Sequence, residues 1–169
     1  MPAADGIRKN FALFLDGYGY AGKCDEFQPP NLEVQTESYR AGGMDAPVAL
    51  DMGQNAMQAT FKLAQMTAKA LGLWGVSQGS TFPLIVRTPL EDLDGTVHPE
   101  NFTCRGTVSG VNWDAVKAGA VAYVTMTMEL RAFTYSIDGE TIHDIDVLNM
   151  KRIINGVDRL AAQRNAMGI

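Results

Sequence analysis

The side chains able to do chemistry in this chain are few. The histidines are His98 and His143, and the cysteines are Cys24 and Cys104. His143 beside Asp144 could orient a general base, but neither a Gly-x-Ser-x-Gly turn nor a reactive-cysteine context accompanies it. A surface hydrogen bond is the plainer reading. Cys24, Cys104, His98 and His143 have the right ligand chemistry for zinc. None stands at ligand spacing, and there is no CxxC pair, so no metal site is expected. Gly42-Gly43 could cradle a phosphate, but the chain lacks the Gly-Lys-Ser/Thr ending of a phosphate-binding loop. A loop free to take positive φ explains those glycines better. No cofactor and no enzymatic activity are expected.

The elements that would position these residues read mostly as β. Val121–Ile137 alternates polar and apolar residues, Asp138-Gly139 is a favoured two-residue hairpin turn, and a second β-rich run follows. At ~3.3 Å per residue the first arm would reach roughly 55 Å. A domain of this length is only about 40 Å across. A hairpin of that length overhangs its own domain and needs a neighbour to cover it. Its apolar phase also changes, from Val124, Met126, Met128 and Leu130 to Phe133, Tyr135 and Ile137. A bulge near Arg131-Ala132 would account for the change, leaving one half for the domain's own core and the other for something else.

Further strands are predicted at Asn10–Leu15 and Tyr20–Phe27, paired as a hairpin about Asp16-Gly17, then at Leu32–Thr36. Val48–Met52 and Ala56–Leu63 read as two arms around Gly53-Gln54-Asn55, with Phe82–Thr88 and Val97–Trp113 beyond. Helices are predicted at Gln65–Leu73 and at Val157–Met167, the latter preceded by Asn155-Gly156 and stopped by Gly168. Met44, Met52, Met57, Met126 and Met128 are either core filler or an adaptable interface.

The 169 residues suit a single domain. A net charge of −5 without a Lys/Arg cluster argues against tight binding to nucleic-acid phosphates. No apolar run approaches the ~20 residues of a membrane span, and the N-terminus lacks the zones of a signal peptide. Synthesis in a cytoplasm without standard export is the expectation.

Several motifs then resemble one family in order along nearly the whole chain. Leu13-Phe14 with Asp16-Gly17, Tyr20 and Gly22 look like its opening hairpin. Glu37-Ser38-Tyr39-Arg40-Ala41-Gly42-Gly43-Met44 is similar to its acidic, aromatic, Arg-Gly-rich loop, and Asp51-Met52-Gly53 follows. Arg105-Gly106 and Ala118-Gly119 precede the long strand. Ile137–Glu140, Ile145-Asp146 with Asn149, Ile154–Asp158 and the ending Arg164–Ile169 are the closest matches. The family is the major tail tube protein of contractile-tailed bacteriophages, shared with R-type tailocins. Residues Trp74–Glu100 have little to match, and both cysteines stand where the family has aliphatic residues.

The resemblance implies a mainly β, sandwich- or barrel-like tail tube fold with long hairpins and flanking helices. Six subunits form a ring, inner strands join into one barrel, and rings stack into a tube inside a sheath. Implied partners are further copies, the sheath protein, baseplate and tail-terminator proteins, and double-stranded DNA in passage, without stable membrane insertion. The implied location is the virion, after assembly in the host bacterial cytoplasm. The alternatives are the tube of a tailocin or secretion system, or a soluble monomeric β-domain with binding or hydrolytic activity. On this basis Gly42, Gly43, Met44, Asp45, Val48, Leu50 and Met52 would make inter-ring contact. Thr103, Thr107, Thr125, Thr127 and Glu129 would line a channel that is not basic. Cys24 and Cys104 are either buried free thiols or an intersubunit disulfide.

Overall fold

The alternating run near the middle of the chain becomes the spine of the molecule. The computed structural model describes residues 6–64 and 67–169. Its first strands are β1 (Ile7–Arg8), β2 (Ala12–Leu15), β3 (Tyr18–Gly19), β4 (Cys24–Gln28), β5 (Val34–Tyr39), β6 (Val48–Gln54) and β7 (Met57–Leu63). Helix α1 (Ala68–Leu71) follows, then β8 (Phe82–Glu91), β9 (Val97–Trp113), β10 (Val124–Ile137), β11 (Glu140–Asp146), β12 (Lys151–Ile154), β13 (Val157–Asp158) and α2 (Ala161–Met167). The fold is mainly β. Every strand except β5 and β6 joins one antiparallel sheet, ordered β13-β12-β11-β10-β9-β8-β2-β3, which is not closed on itself.

Strand β9 lies along the whole of β10, while the other side of β10 is shared. Val124–Leu130 pairs with β7, which carries β4 at its far edge, and Ala132–Ile137 pairs with β11. Between these halves Leu130 faces Gly106 and Ala132 faces Arg105, so Arg131 is the extra residue of a bulge. The predicted bulge is therefore present, but its consequence differs from the expectation. The extra residue cancels the change of phase, and Met126, Met128 and Phe133 all face the subunit's own core. Neither half is left for a foreign surface. The bulge brings backbones together: a Cβ on Gly106 would stand 1.9 Å from the Glu129 carbonyl oxygen. The turn at Asp138-Gly139 has positive φ at both residues, 51° and 78°, as its hairpin geometry requires.

Leu13, Leu15, Met57, Phe61, Leu84, Met126 and Met128 are fully buried. Burial of each such side chain stabilises the fold by about 1.5–3 kcal/mol. Several local expectations need correction. The first hairpin closes on β3, and β4 leaves it to pair with β7. Strand β6 pairs backwards with β5, not forwards with β7. The first helix is only Ala68–Leu71, begun by Thr67, whose Oγ1 accepts from Ala70 N; Gln65 and Met66 of the expected helix lie outside the described residues. The second begins at Ala161, because Asn155-Gly156 turns the chain back as β13. β-Branched Val157 suits a strand, and Asp158 accepts from Leu160 N and pairs with Arg164.

Candidate functional site

The β5–β6 hairpin forms a sheet of its own. Alternation places Tyr39, Val48, Leu50 and Met52 on one face, with Tyr39 opposite Val48 and Glu37 opposite Leu50. Ser38, Ala49, Thr36 and Asp51 occupy the other face. The apolar face has no cover: Tyr39 is 54% exposed, Val48 48%, Leu50 44% and Met52 53%. An isolated two-stranded hairpin is marginal in water. The connecting loop is held by Arg40 Nε donating to the Met44 carbonyl at 3.1 Å and by Met44 N donating to Ala41 O at 3.2 Å. Gly42, Gly43 and Asp45 are exposed at its tip, and Gly43 has positive φ.

A second surface lies on the non-core face of the spine. Thr125, Thr127 and Glu129 of β10 stand beside Lys62, Thr60 and Gln58 of β7. Glu26 and Gln28 of β4 continue the rows of Lys62 and Thr60. On the other side Thr107 of β9 faces Glu129. Glu129 Oε1 accepts from Gln58 Nε2 at 2.7 Å and from Ser109 Oγ at 3.3 Å. The face is thus hydroxyl- and amide-rich, with Lys62 between Glu26 and Thr125, and Glu129 opposite Gln58. The structure brings together Thr107, Thr125, Thr127 and Glu129. Thr103 shares their face of β9 but lies beyond the bulge, opposite Thr134 and Ile85.

The four-strand part of the sheet, β4-β7-β10-β9, ends in two free edges among the described residues. Strand β4 pairs only with β7. Strand β9 parts from β8 after Gly106. Beyond a single bridge from Trp74 to Val108, its residues Val111–Trp113 pair only with β10. Trp113 is 61% exposed.

The two cysteines lie in different surroundings. Cys104 is fully buried between Leu84 and Phe133, and burial pushes its thiol up to about 12. Cys24 is half-buried on β4, with its thiol raised to about 11 by burial, and Sγ donates to Glu26 O. Both are free thiols. Cys104 is sealed in its own subunit's core, which favours buried free thiols over the intersubunit disulfide.

The histidines hold structure. His98 Nδ1 lies 2.7 Å from Asp138 and Nε2 lies 3.2 Å from Asp92, joining two turns at one end of the sheet. Its pKa is raised, chiefly by the bond to Asp138. His143 stacks on Tyr135, and its neighbour Asp144 pairs instead with Lys151. Among the described residues no cluster of three or more His, Cys, Asp or Glu could hold a metal ion, and no helix is long and apolar enough to cross a membrane.

Sequence reasoning missed one group. Glu100 is fully buried, with Arg8 donating to both carboxylate oxygens and the Tyr135 hydroxyl donating to one, each at 2.7 Å. Burial pushes its carboxyl up, but these bonds outweigh burial and hold it below its usual value. The signal was its core-facing phase, shared with Phe102 and Cys104 on β9.

The chain as a whole is similar to known proteins. The chain is 26% identical over 161 residues to the tail tube protein of Escherichia phage P2, covering 93% of this chain and 94% of that one. It is 25% identical over 141 residues to the major tail tube protein of Serratia phage KSP20, covering 82% and 81%. Its fold is similar to a chain of the anti-feeding prophage baseplate (TM-score 0.60, 13% identity, 81% of this chain and 99% of that one). It is also similar to a chain of the sheath–tube complex of an extracellular contractile injection system, PVC, in the extended state (TM-score 0.56, 10% identity, 75% and 88%). The profile of the phage tail tube protein FII family matches residues 7–168, and the protein belongs to that family.

Proposed function

We propose that this protein is a non-enzymatic wall subunit that closes into hexameric rings, and that the rings stack into the tube of a contractile phage tail. The observation that carries the reading is the uncovered apolar face of the β5–β6 arm, a two-stranded sheet that pairs with no other strand among the described residues. Exposed apolar surface of that kind marks a docking element. The loop tip Gly42–Asp45 and the arm residues Val48, Leu50 and Met52 would reach the adjoining ring. Within a ring, the free edge of β4 would pair with the Val111–Trp113 edge of the next copy. Such closure leaves no exposed strand edge.

The face bearing Thr107, Thr125, Thr127 and Glu129 would then line the channel, with Thr103 further along β9. Six copies at −5 each make a wall that repels DNA phosphates, and the lining supplies no basic stripe to hold them. Sheath, baseplate and terminator proteins would contact the tube's outside and ends. Assembly would take place in the host cytoplasm, and the virion tail would be the final location.

Negative-stain microscopy of purified protein tests the reading directly. Rings and hollow tubes are expected, and shortening residues 41–54 should leave folded subunits or single rings but no long tubes. Tubes that grow normally after the deletion would overturn the role of the arm. An assembled channel with a strongly positive surface would overturn the role of the polar face. The likeness to an injection-system tube-complex chain keeps a DNA-free tube as the second reading; DNA inside native particles separates the two.

A further inference from the structure

A tube that grows ring on ring repeats one contact along its axis. Whatever receives the β5–β6 arm is then carried by the same chain, at the end away from the arm. Two strands locate that end. The chain enters the arm from the Gln28 end of β4 and leaves it into the Met57 end of β7. The opposite ends of the same strands, Cys24 and Leu63, pair with each other and adjoin β3 and α1. Cys24 N donates to Tyr20 O at 3.2 Å, and the Tyr20 hydroxyl shares a hydrogen bond with Oγ1 of Thr67, which begins α1. The seven residues of β7 alone span roughly 23 Å between the two ends.

The arm sets two requirements for a receptor. Tyr39, Val48, Leu50 and Met52 need apolar ground, and Glu37, opposite Leu50 within that stripe, needs a cation. Glu37 forms no ion pair among the described residues. The α1 end offers both. Trp74 is 56% exposed and Tyr18 52%. The indole is fixed at its place: Nε1 donates to Ser109 O at 3.1 Å, and the Trp74 backbone N donates to Leu71 O at 3.3 Å. The Lys69 ammonium stands 3.1 Å from the centre of the Tyr18 ring, and it too has no carboxylate partner among the described residues. Trp and Tyr are the residue types that most often anchor interfaces. A lysine held over an aromatic ring presents its charge at a defined point.

We infer that the surface of Tyr18, Lys69 and Trp74 receives the arm of a second copy, in the adjoining ring. The apolar stripe lies against Tyr18 and Trp74, and Glu37 pairs with Lys69. This inference rests on the proposed role of the arm and names the surface on which it docks. Arm and receptor are different patches of one chain, so the contact is heterologous. Every stack keeps a free arm at one end and a free receptor at the other, and it extends without closing on itself.

A cross-link tests the docking. Preformed tubes of the Glu37→Cys, Lys69→Cys protein, made with Cys24→Ser so that buried Cys104 is the only other thiol, are oxidised and run on a non-reducing gel. A bridge needs the Cα atoms within about 7 Å, which only an arm and a receptor from different copies can meet. The expected result is a ladder that runs past a single ring's complement of subunits and collapses on reduction. A ladder that stops at one ring, a bridged monomer, or no bridge overturns the docking. A charge swap does not depend on cysteine chemistry. Lys69→Glu sets two carboxylates against each other and should raise the protein concentration needed for tube growth at least about threefold. Adding Glu37→Lys should restore growth, which also shows that the subunit folds. Normal growth of Lys69→Glu, or no rescue by the second change, contradicts the pairing. Shortening the arm tests the proposed function separately. Tubes without an arm refute that reading, whereas arm-dependent tubes that give no bridge refute only this receptor.

Discussion

The spine and the arm are both antiparallel pairs, yet they stand in opposite relation to the rest of the chain. β9 and β10 run side by side with Met126, Met128 and Cys104 fully buried, and other strands extend the sheet on both sides. β5 and β6 pair only with each other and expose the apolar stripe of Val48, Leu50 and Met52. The spine is stabilised by contacts its own chain supplies. The arm has the hydrogen bonds of a sheet without the packing. Residue type does not separate these regions, since both are rich in Val, Leu and Met. Whether the chain itself supplies the covering layer separates them.

The sharpest test of that contrast is at Gly106. Gly106→Ala puts a Cβ against the Glu129 backbone, and backbone cannot yield as a side chain can. The expected loss is at least ~3 kcal/mol of folding stability, seen as a collapse of the urea midpoint or as insoluble protein. A subunit of normal midpoint would mean that the bulge is not the fixed point of the spine.

Next in size is the Arg8–Glu100 pair. Arg8→Ala leaves Glu100 buried with Tyr135 alone, at an expected cost of about 1–3 kcal/mol; the low end reflects how exposed Arg8 is. The pH dependence gives a sign. The Glu100 carboxyl lies below its usual value in the folded protein. Its contribution is therefore full above the unfolded value of about 4.5 and fades as pH falls through the lower folded value. Arg8→Ala should flatten this acid limb in pH-dependent unfolding. An unchanged limb would remove Glu100 as its source.

On the arm the expectation reverses. Leu50→Ser with Met52→Ser should move the unfolding midpoint of the free subunit by no more than ~0.5 kcal/mol, while tube formation fails by sedimentation and microscopy. A large loss of subunit stability would show that the arm belongs to the core after all. The smallest effect belongs to His98. Its raised pKa means that its ties to Asp92 and Asp138 contribute fully below the unfolded value of about 6.5 and fade as pH rises through the folded one. His98→Gln should remove a slight alkaline decline in the thermal midpoint without altering tube assembly.

What could be read from the sequence follows the same division. The strands from Val97 to Ile137 and the bulge at Arg131 were legible, because a buried face imposes alternation and a break in alternation needs an extra residue. The partner of β6 was not. Val48–Gln54 can pair with the strand before it or after it, and only the crowding of β7 between β4 and β10 decides. The late start of α2 was hidden because Asn155-Gly156 suits either a helix lead-in or a hairpin turn. Of the candidate surfaces, the loop at Gly42–Met44 and the hydroxyl face of β10 were visible as composition. The core-facing phase of Cys104 beside Phe102 could be read from alternation, but the anchoring of Glu100 by Arg8 and Tyr135 depends on which strands are brought near β9, which alternation alone does not specify.

The bulge at Arg131 has a mechanical consequence. Because β10 pairs with β7 before it and β11 after it, one unbroken strand belongs to two neighbouring groups of strands. Ladder hydrogen bonds lie across the strand direction, so tension along β10 shears its bonds to β9 together instead of unzipping them singly. A force applied to the β4–β7 end is thus carried along the covalent backbone into the β11–β13 end. The subunit resists stretching along that line as one braced piece, while the arm, tied only at its root, remains free to bend.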